Sequence, residues 1–243
     1  MESKYASSPT QTIQSLRSLY QRAARLFLQR NAVQTQSLID RAFEIIHPPP
    51  TAGQDGLASQ RKKWDILRIT LETTLYTSPG LLPDEPSPSP ITHGITPSTS
   101  GQAQLRSNLL LSPPSLLATM HTRSLRLFTP PSQKPSPAFL PPQILVSLVL
   151  AALKLDCPQV GRGMVEEWLA RRSVETDAPM SANSMPESSK DEGYAKVLDV
   201  YCLHVLPRLG EWEYANEFLR YEMELPVSFK EVRHRSTVSL SVI

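Results

Sequence analysis

Five histidines, two cysteines and a few neighbouring carboxylates are the residues of this 243-residue chain that could do chemistry. His204 follows Tyr201 and Cys202 on a helical stretch, an order in which an imidazole could draw the proton from a thiol and leave a nucleophile. The expected arrangement is instead a core or helix-end histidine beside a buried structural cysteine. None of His47, His93, His121, His204 and His234 has a second histidine or a carboxylate three or four residues further on in a ligand arrangement. Cys157 and Cys202 stand 45 residues apart and no CxxC occurs, which excludes a disulfide framework and a cysteine-based zinc module and suits a reducing compartment.

Gly161-Arg162-Gly163 precedes a helical pattern, as a phosphate-binding turn would. Position 166 is Glu, however, and no strand comes before it, so the glycines are expected to form the turn of a helical hairpin. Glu166-Glu167 and Glu211/Glu213 are expected to serve helix starts, where carboxylates favour the dipole. No serine nucleophile motif is present. Catalytic, cofactor-binding and metal-binding residues are therefore assigned to none of these positions, no cofactor is implied, and the chain is expected not to be an enzyme.

The elements that would position such residues are helical throughout. From Thr10 to Arg30, Ile13, Leu16, Tyr20, Ala23, Ala24 and Phe27 recur at helical spacing with Arg17, Arg22 and Arg25 between them. Leu38, Ile39, Ala42, Phe43 and Ile46 mark a second helix ended by Pro48-Pro49-Pro50. A third starts near Ala58, carries Trp64, Leu67, Leu71 and Leu75, and closes at Ser78-Pro79-Gly80. Pro141-Pro142 opens an apolar helix with Ile144, Leu145, Leu148, Val149, Ala152 and Leu153. Further helices are expected over Pro158–Arg172, Asp191–Leu206 and Glu211–Glu222, with a loop over 173–190. Trp64, Trp168 and Trp212 lie on apolar faces and are expected in hairpin cores.

No alternating strand is visible, so the class is all-α, an array of αα-hairpins forming a tetratricopeptide-like solenoid. Gly210, Ala215 and Leu219 have the spacing of the second helix of such hairpins, although no clean 34-residue period runs through the chain.

Proline is about twice its usual share, and 14 of the 23 lie between Pro79 and Pro142. Each removes an N–H donor and fixes φ, so 79–140 is expected to be a Pro/Ser-rich, largely disordered insertion with a short helix near 115–128. Residues 1–9 are expected to be disordered, 10–78 and 141–225 to be the two halves of one solenoid, and 226–243 a flexible tail. Seven Ser-Pro or Thr-Pro dipeptides in the tract, Ser78, Ser87, Ser89, Thr96, Ser112, Thr129 and Ser136 leading them, would accept proline-directed phosphorylation.

Net charge is +2 and unevenly spread: 10 basic and 6 acidic residues over 1–75, against 11 and 15 over 143–243. That asymmetry can orient a partner but does not suggest nucleic acid. The longest apolar stretch, Ile144 to Leu153, is about half the ~20 residues a membrane span needs. Between Glu2 and Asp40 there is no acidic residue, a composition that also suits a mitochondrial presequence. Every apolar residue named here is expected in the core, so no partner-binding residue is assigned.

Leu140-Pro141-Pro142 opening an apolar helix, followed by Val165 and Trp168-Leu169, resembles a signature segment of the peroxin twenty-six family, tail-anchored peroxisomal proteins that tether an AAA-ATPase export complex. The run LHVLPRLGEWEYANEFL extends the likeness: Leu206-Pro207, Leu209-Gly210, Ala215, Glu217 and Leu219 are similar to the family's turn and the acidic, alanine-bearing helix after it. Ala23-Ala24, Leu26, Ala42 and Phe43 are similar to its first helices. The resemblance implies a fungal-type, non-enzymatic adaptor that recruits the AAA-ATPase complex through the peroxin-six subunit, for recycling of the import receptor on the cytosolic face of the peroxisomal membrane. The family ends in a membrane-spanning tail, whereas Val238-Ser239-Leu240-Ser241-Val242 is not an apolar span: either the sequence is a truncated or alternative form of a tail-anchored protein, or the form lacks the tail anchor and is cytosolic. The alternative is a helical-repeat scaffold of another organelle, mitochondrial through its Arg-rich start.

Overall fold

The computed structural model describes residues 9–51, 55–82, 99–176 and 187–222. The disorder expected for residues 1–9, for the centre of the Pro/Ser tract and for the tail 226–243 concerns residues outside these, except that Pro9 is the first residue of a helix. All regular structure among the described residues is helical, as the periodicity predicts. The chain groups into two compact units, Met1–Ser112 and Pro113–Ile243.

In the first unit, α1 (Pro9–Leu28) and α2 (Ala32–Phe43) form a hairpin on which α3 (Ala58–Thr77) packs. Alanines make the hairpin close: Ala23 and Ala42 are both fully buried, with Leu16 and Ile39. Asn31 starts α2 by accepting the Gln34 N–H at 3.1 Å on its side-chain oxygen, the usual device for an orphan helix donor. Trp64 fills the centre of α3 with the Tyr20 ring edge-on at 5.3 Å. Burying each such large side chain contributes about 1.5–3 kcal/mol. The Pro48–Pro50 run after α2 offers no N–H donors, and the guanidinium of buried Arg61 supplies the neighbouring His47 carbonyl instead, at 2.9 and 2.6 Å, while pairing with Asp55.

Residues 79–140, expected to be largely disordered, carry two helices from Thr99 onward. α4 (Thr99–Leu109) packs on α2 and α3, with Leu105 buried. α5 (Pro113–Phe128) belongs to the second unit and buries Leu116, Leu117, Met120, Leu127 and Phe128. It contains the short helix expected at 115–128. Proline density misleads here because Pro113 and Pro114 occupy a first helical turn, where a missing N–H costs nothing, and no further proline occurs before Pro130. The connection from Thr129 to Pro141 is held as well: the Thr129 hydroxyl accepts the Ser136 N–H at 3.2 Å, and Pro137–Phe139 forms one 3₁₀ turn.

The rest of the second unit is built on α6 (Pro142–Lys154), whose Ile144, Leu145, Leu148, Val149 and Ala152 are all buried. α7 (Pro158–Thr176) and α8 (Glu187–Val200) pack against it, and both extend into 173–190, expected to be loop. Gly161-Arg162-Gly163 is inside α7 and not in a turn. A Cβ on Gly161 would touch Ala152 and Val149 at 3.4 Å, so the residue is there for the close approach of α6 and α7. After α8 the helix widens to a π turn over Tyr201–Val205, then tightens again in α9 (Leu206–Arg208). Pro207 explains the change: it has no N–H for the Leu203 carbonyl and its ring would strike that carbonyl, so the ladder steps to Leu206 N–H onto Tyr201 C=O. α10 (Trp212–Tyr221) is the final helix among the described residues of this unit, with Ala215 and Leu219 as its buried residues.

Three hairpins share one joint. Gln29-Arg30-Asn31, Leu155-Asp156-Cys157 and Leu209-Gly210-Glu211 each link two helices, and in each the middle residue is left-handed, at φ 60°, 56° and 77°. The same two bonds close all three: Arg30 N–H to Phe27 C=O and Asn31 N–H to Leu26 C=O, repeated from 156/157 to 153/152 and from 210/211 to 207/206, all between 2.8 and 3.2 Å. This is the glycine-type helix stop, satisfying orphan carbonyls with the chain's own donors.

Candidate partner-binding face on helix α10

The residues nominated for chemistry do not converge. Cys202 is fully buried, whereas His204, two positions on, is exposed, because residues two apart point to opposite sides of a helix. Burial, with the Asp156 carboxylate beside it, pushes the Cys157 thiol up and away from the reactive thiolate. His47 is exposed, and His93 and His234 lie outside the described residues. Among the described residues no cluster of His, Cys, Asp and Glu could hold a metal ion, and no helix is long and apolar enough to cross a membrane.

Two of the nominated carboxylates instead build a rivet. On α7, Arg162 Nε donates to Glu166 at 2.7 Å and its Nη1 reaches Glu211, at the start of α10, at 2.5 Å. The same Glu166 oxygen accepts from the Tyr201 hydroxyl at 2.8 Å, so the Arg162–Glu166 pair of α7 ties the π turn through Glu166 and the start of α10 through Arg162. The bond to Glu166 and the two carboxylates hold Arg162 charged well past its ordinary range, and burial, then Glu166, raises the Tyr201 phenol.

The rivet fixes the inner side of α10 and leaves an aromatic, acidic outer side. Trp212, expected in the core, is half-buried: it stands at the first turn of the helix, and only Ala215 and Leu219 on its stripe are covered. Tyr214 is 41% and Tyr221 68% exposed, and Glu213, Glu217 and the single basic residue Arg220 are exposed beside them. Tyr214 divides two open hollows. One, of about 560 Å³, is lined by Glu211, Trp212, Glu213 and Asn216; the other, of about 410 Å³, by Glu217, Phe218, Tyr221 and Glu222. The rings are held from behind, Phe218 by Tyr201 edge-on at 5.6 Å and Tyr214 by the Arg162 guanidinium 5.6 Å from its centre. Pre-ordered Trp and Tyr are the side chains that most often anchor protein interfaces, and carboxylates among them select a cationic partner. Helical periodicity alone missed this face because it assigns every apolar position to the core. The available signal was four aromatic residues on a helix with only two positions for a buried stripe.

Compared with known proteins, the chain matches no family model, no curated sequence and no solved structure.

Proposed function

We propose that the protein is a non-enzymatic adaptor of peroxisome biogenesis that recruits the AAA-ATPase export complex through its peroxin-six subunit, with the outer side of α10 as the contact. One observation carries the reading: the run that resembles the peroxin twenty-six family folds into a single hairpin presenting the aromatic, acidic face. Gly210 makes its turn, Ala215 and Leu219 make its core, and Glu217 stands outside beside Tyr214 and Tyr221. The repeated joint of the three hairpins supports a tetratricopeptide-like array as the scaffold. The contacting segment of the partner carries Lys or Arg, which the carboxylates and ring faces of α10 attract together.

The test is a pull-down of the purified chain with the N-terminal region of the peroxin-six subunit. Capture that weakens in Trp212→Ala/Tyr214→Ala, with helicity unchanged, supports the reading. No capture by the folded chain overturns the adaptor assignment, whereas capture unaffected by these substitutions overturns the place of contact.

A further inference from the structure

A second surface lies in the first unit and does not draw on the peroxisomal reading. Where the α1–α2 joint meets the end of α3 there is a hollow of about 310 Å³, half open, with Phe27, Ala32, Leu71 and Leu75 as its apolar lining and Thr74 and Ser78 at the α3 end. Leu28 also lines it and is 80% exposed, an apolar side chain left in water at the mouth. Arg30 lines it too.

Arg30 is the unexpected member. It holds the left-handed position of its joint, where Gly fits without cost and an arginine does not. The corresponding residues of the other two joints are Asp156 and Gly210, types that tolerate that conformation far better. A residue kept in such a conformation points to a use for its side chain.

On the α1 side of the hollow the charge is of one sign. No Asp or Glu occurs from Ser3 to Ile39, and Arg17, Arg22, Arg25, Arg30 and Arg41 are all exposed. Arg25 stands one helical turn before Leu28 and so on the same side of α1. A second, smaller hollow of about 220 Å³ between α1 and α2 repeats the composition, with Leu26, Val33 and Leu38 between Arg22 and Arg41.

We propose that the first hollow is a docking site for an acidic amphipathic helix of a partner protein, which seats one large apolar side chain between Phe27, Leu28 and Leu75 and sets its flanking carboxylates against Arg25 and Arg30. Charge complementarity chooses the occupant: an apolar depression rimmed by arginine, at a joint with no Asp or Glu on α1 or on α2 before Asp40, favours a segment that is apolar on one side and anionic on the other. A bilayer is the weaker fit. The apolar face of α1 is spent inside the unit, with Leu16 and Ala23 fully buried, so α1 has no apolar side to lay into lipid, and a discrete hollow receives a knob and not a flat surface.

The experiment uses the full-length chain and fluorescence anisotropy with a capped helical peptide of about 18 residues, long enough to be helical when bound, with Leu on one face and Glu on the other. A peptide with Lys for every Glu is the control, and phosphatidylserine-containing vesicles are the lipid arm. Saturable binding of the Glu peptide, weakened by added salt, is expected. Arg25→Glu/Arg30→Glu should weaken it about tenfold or more. Arg30→Gly, which suits the left-handed backbone and keeps the fold, should weaken it in the same direction. Equal binding of both peptides, no loss in Arg30→Gly, or binding to vesicles without binding to the Glu peptide would each overturn the proposal.

Discussion

The Tyr201 hydroxyl donates to the Glu166 carboxylate at 2.8 Å from inside a π turn, and Glu166 is in turn the acceptor of Arg162. A fully buried ring thereby ends on a charged acceptor that also reaches, through Arg162, the first residue before α10. Tyr201→Phe keeps the ring and its edge contact with Phe218 and removes only the donor. A stability loss of about 1–2 kcal/mol is expected, read as a lower urea midpoint with an unchanged slope.

The three joints predict opposite signs for substitutions of one kind. Arg30→Gly should stabilise by about 0.5–1 kcal/mol, because the left-handed cost of an L-residue exceeds the added freedom of glycine in the unfolded chain. Asp156→Gly should gain less, since Asp tolerates that region and its pair with Arg208, 3.3 Å apart and exposed, adds little. Gly210→Ala should cost about 1 kcal/mol although open space surrounds its missing Cβ, because the strain is in the backbone. Thermal melts of the three variants against the parent decide the order.

Two buried tryptophans differ in their hydrogen bonds. Trp168 donates its indole N–H to the Leu140 carbonyl at 3.0 Å, whereas the Trp64 Nε1 has no partner among the described residues. Trp168→Phe should therefore cost about 1–3 kcal/mol more than Trp64→Phe beyond the volume both lose, because it strands an acceptor while the other removes an unmet donor. Chemical denaturation of the two single variants measures the difference.

Burial lowers the affinity of His121 for a proton, with Glu167 opposing the effect, and its Nε2 has no hydrogen-bond partner among the described residues. The folded state keeps this ring neutral, while the unfolded chain takes up a proton near the ordinary value of 6.5. Below that pH the unfolded state binds the additional proton, so stability falls as pH is lowered through the window between the two values. His121→Gln should remove this part of the slope, as seen in urea midpoints collected across the same window.

Much of the helical order was readable from spacing. α3 begins at Ala58, as its pattern predicts, and α6 opens on the Pro141-Pro142 step. α4 is obscured by the proline density of 79–140, although no proline falls within Thr99–Leu109, while α5, expected near 115–128, starts two residues earlier because Pro113 and Pro114 stand at a helix start where proline is harmless. The π turn has a signal in Pro207, but its consequence, the ladder step onto the Tyr201 carbonyl, depends on the helix continuing past the proline. Trp212 was assigned to the core because its neighbours at helical spacing are apolar; whether anything covers a first-turn residue is a tertiary matter. The repeated joint was hidden for a different reason. Its identity is in two backbone bonds, and only one of its three copies carries the glycine that a motif would seek.

That joint separates shape from side chain. Since main-chain donors close it, the residue at its apex contributes almost nothing to the angle between the helices and is available for other work. One copy leaves the place empty with Gly210, one uses Asp156 to reach Arg208, and one puts Arg30 at the mouth of a hollow. The apex is thus an interchangeable mounting point, at which a new surface chemistry can be installed on a hairpin without redesigning the hairpin.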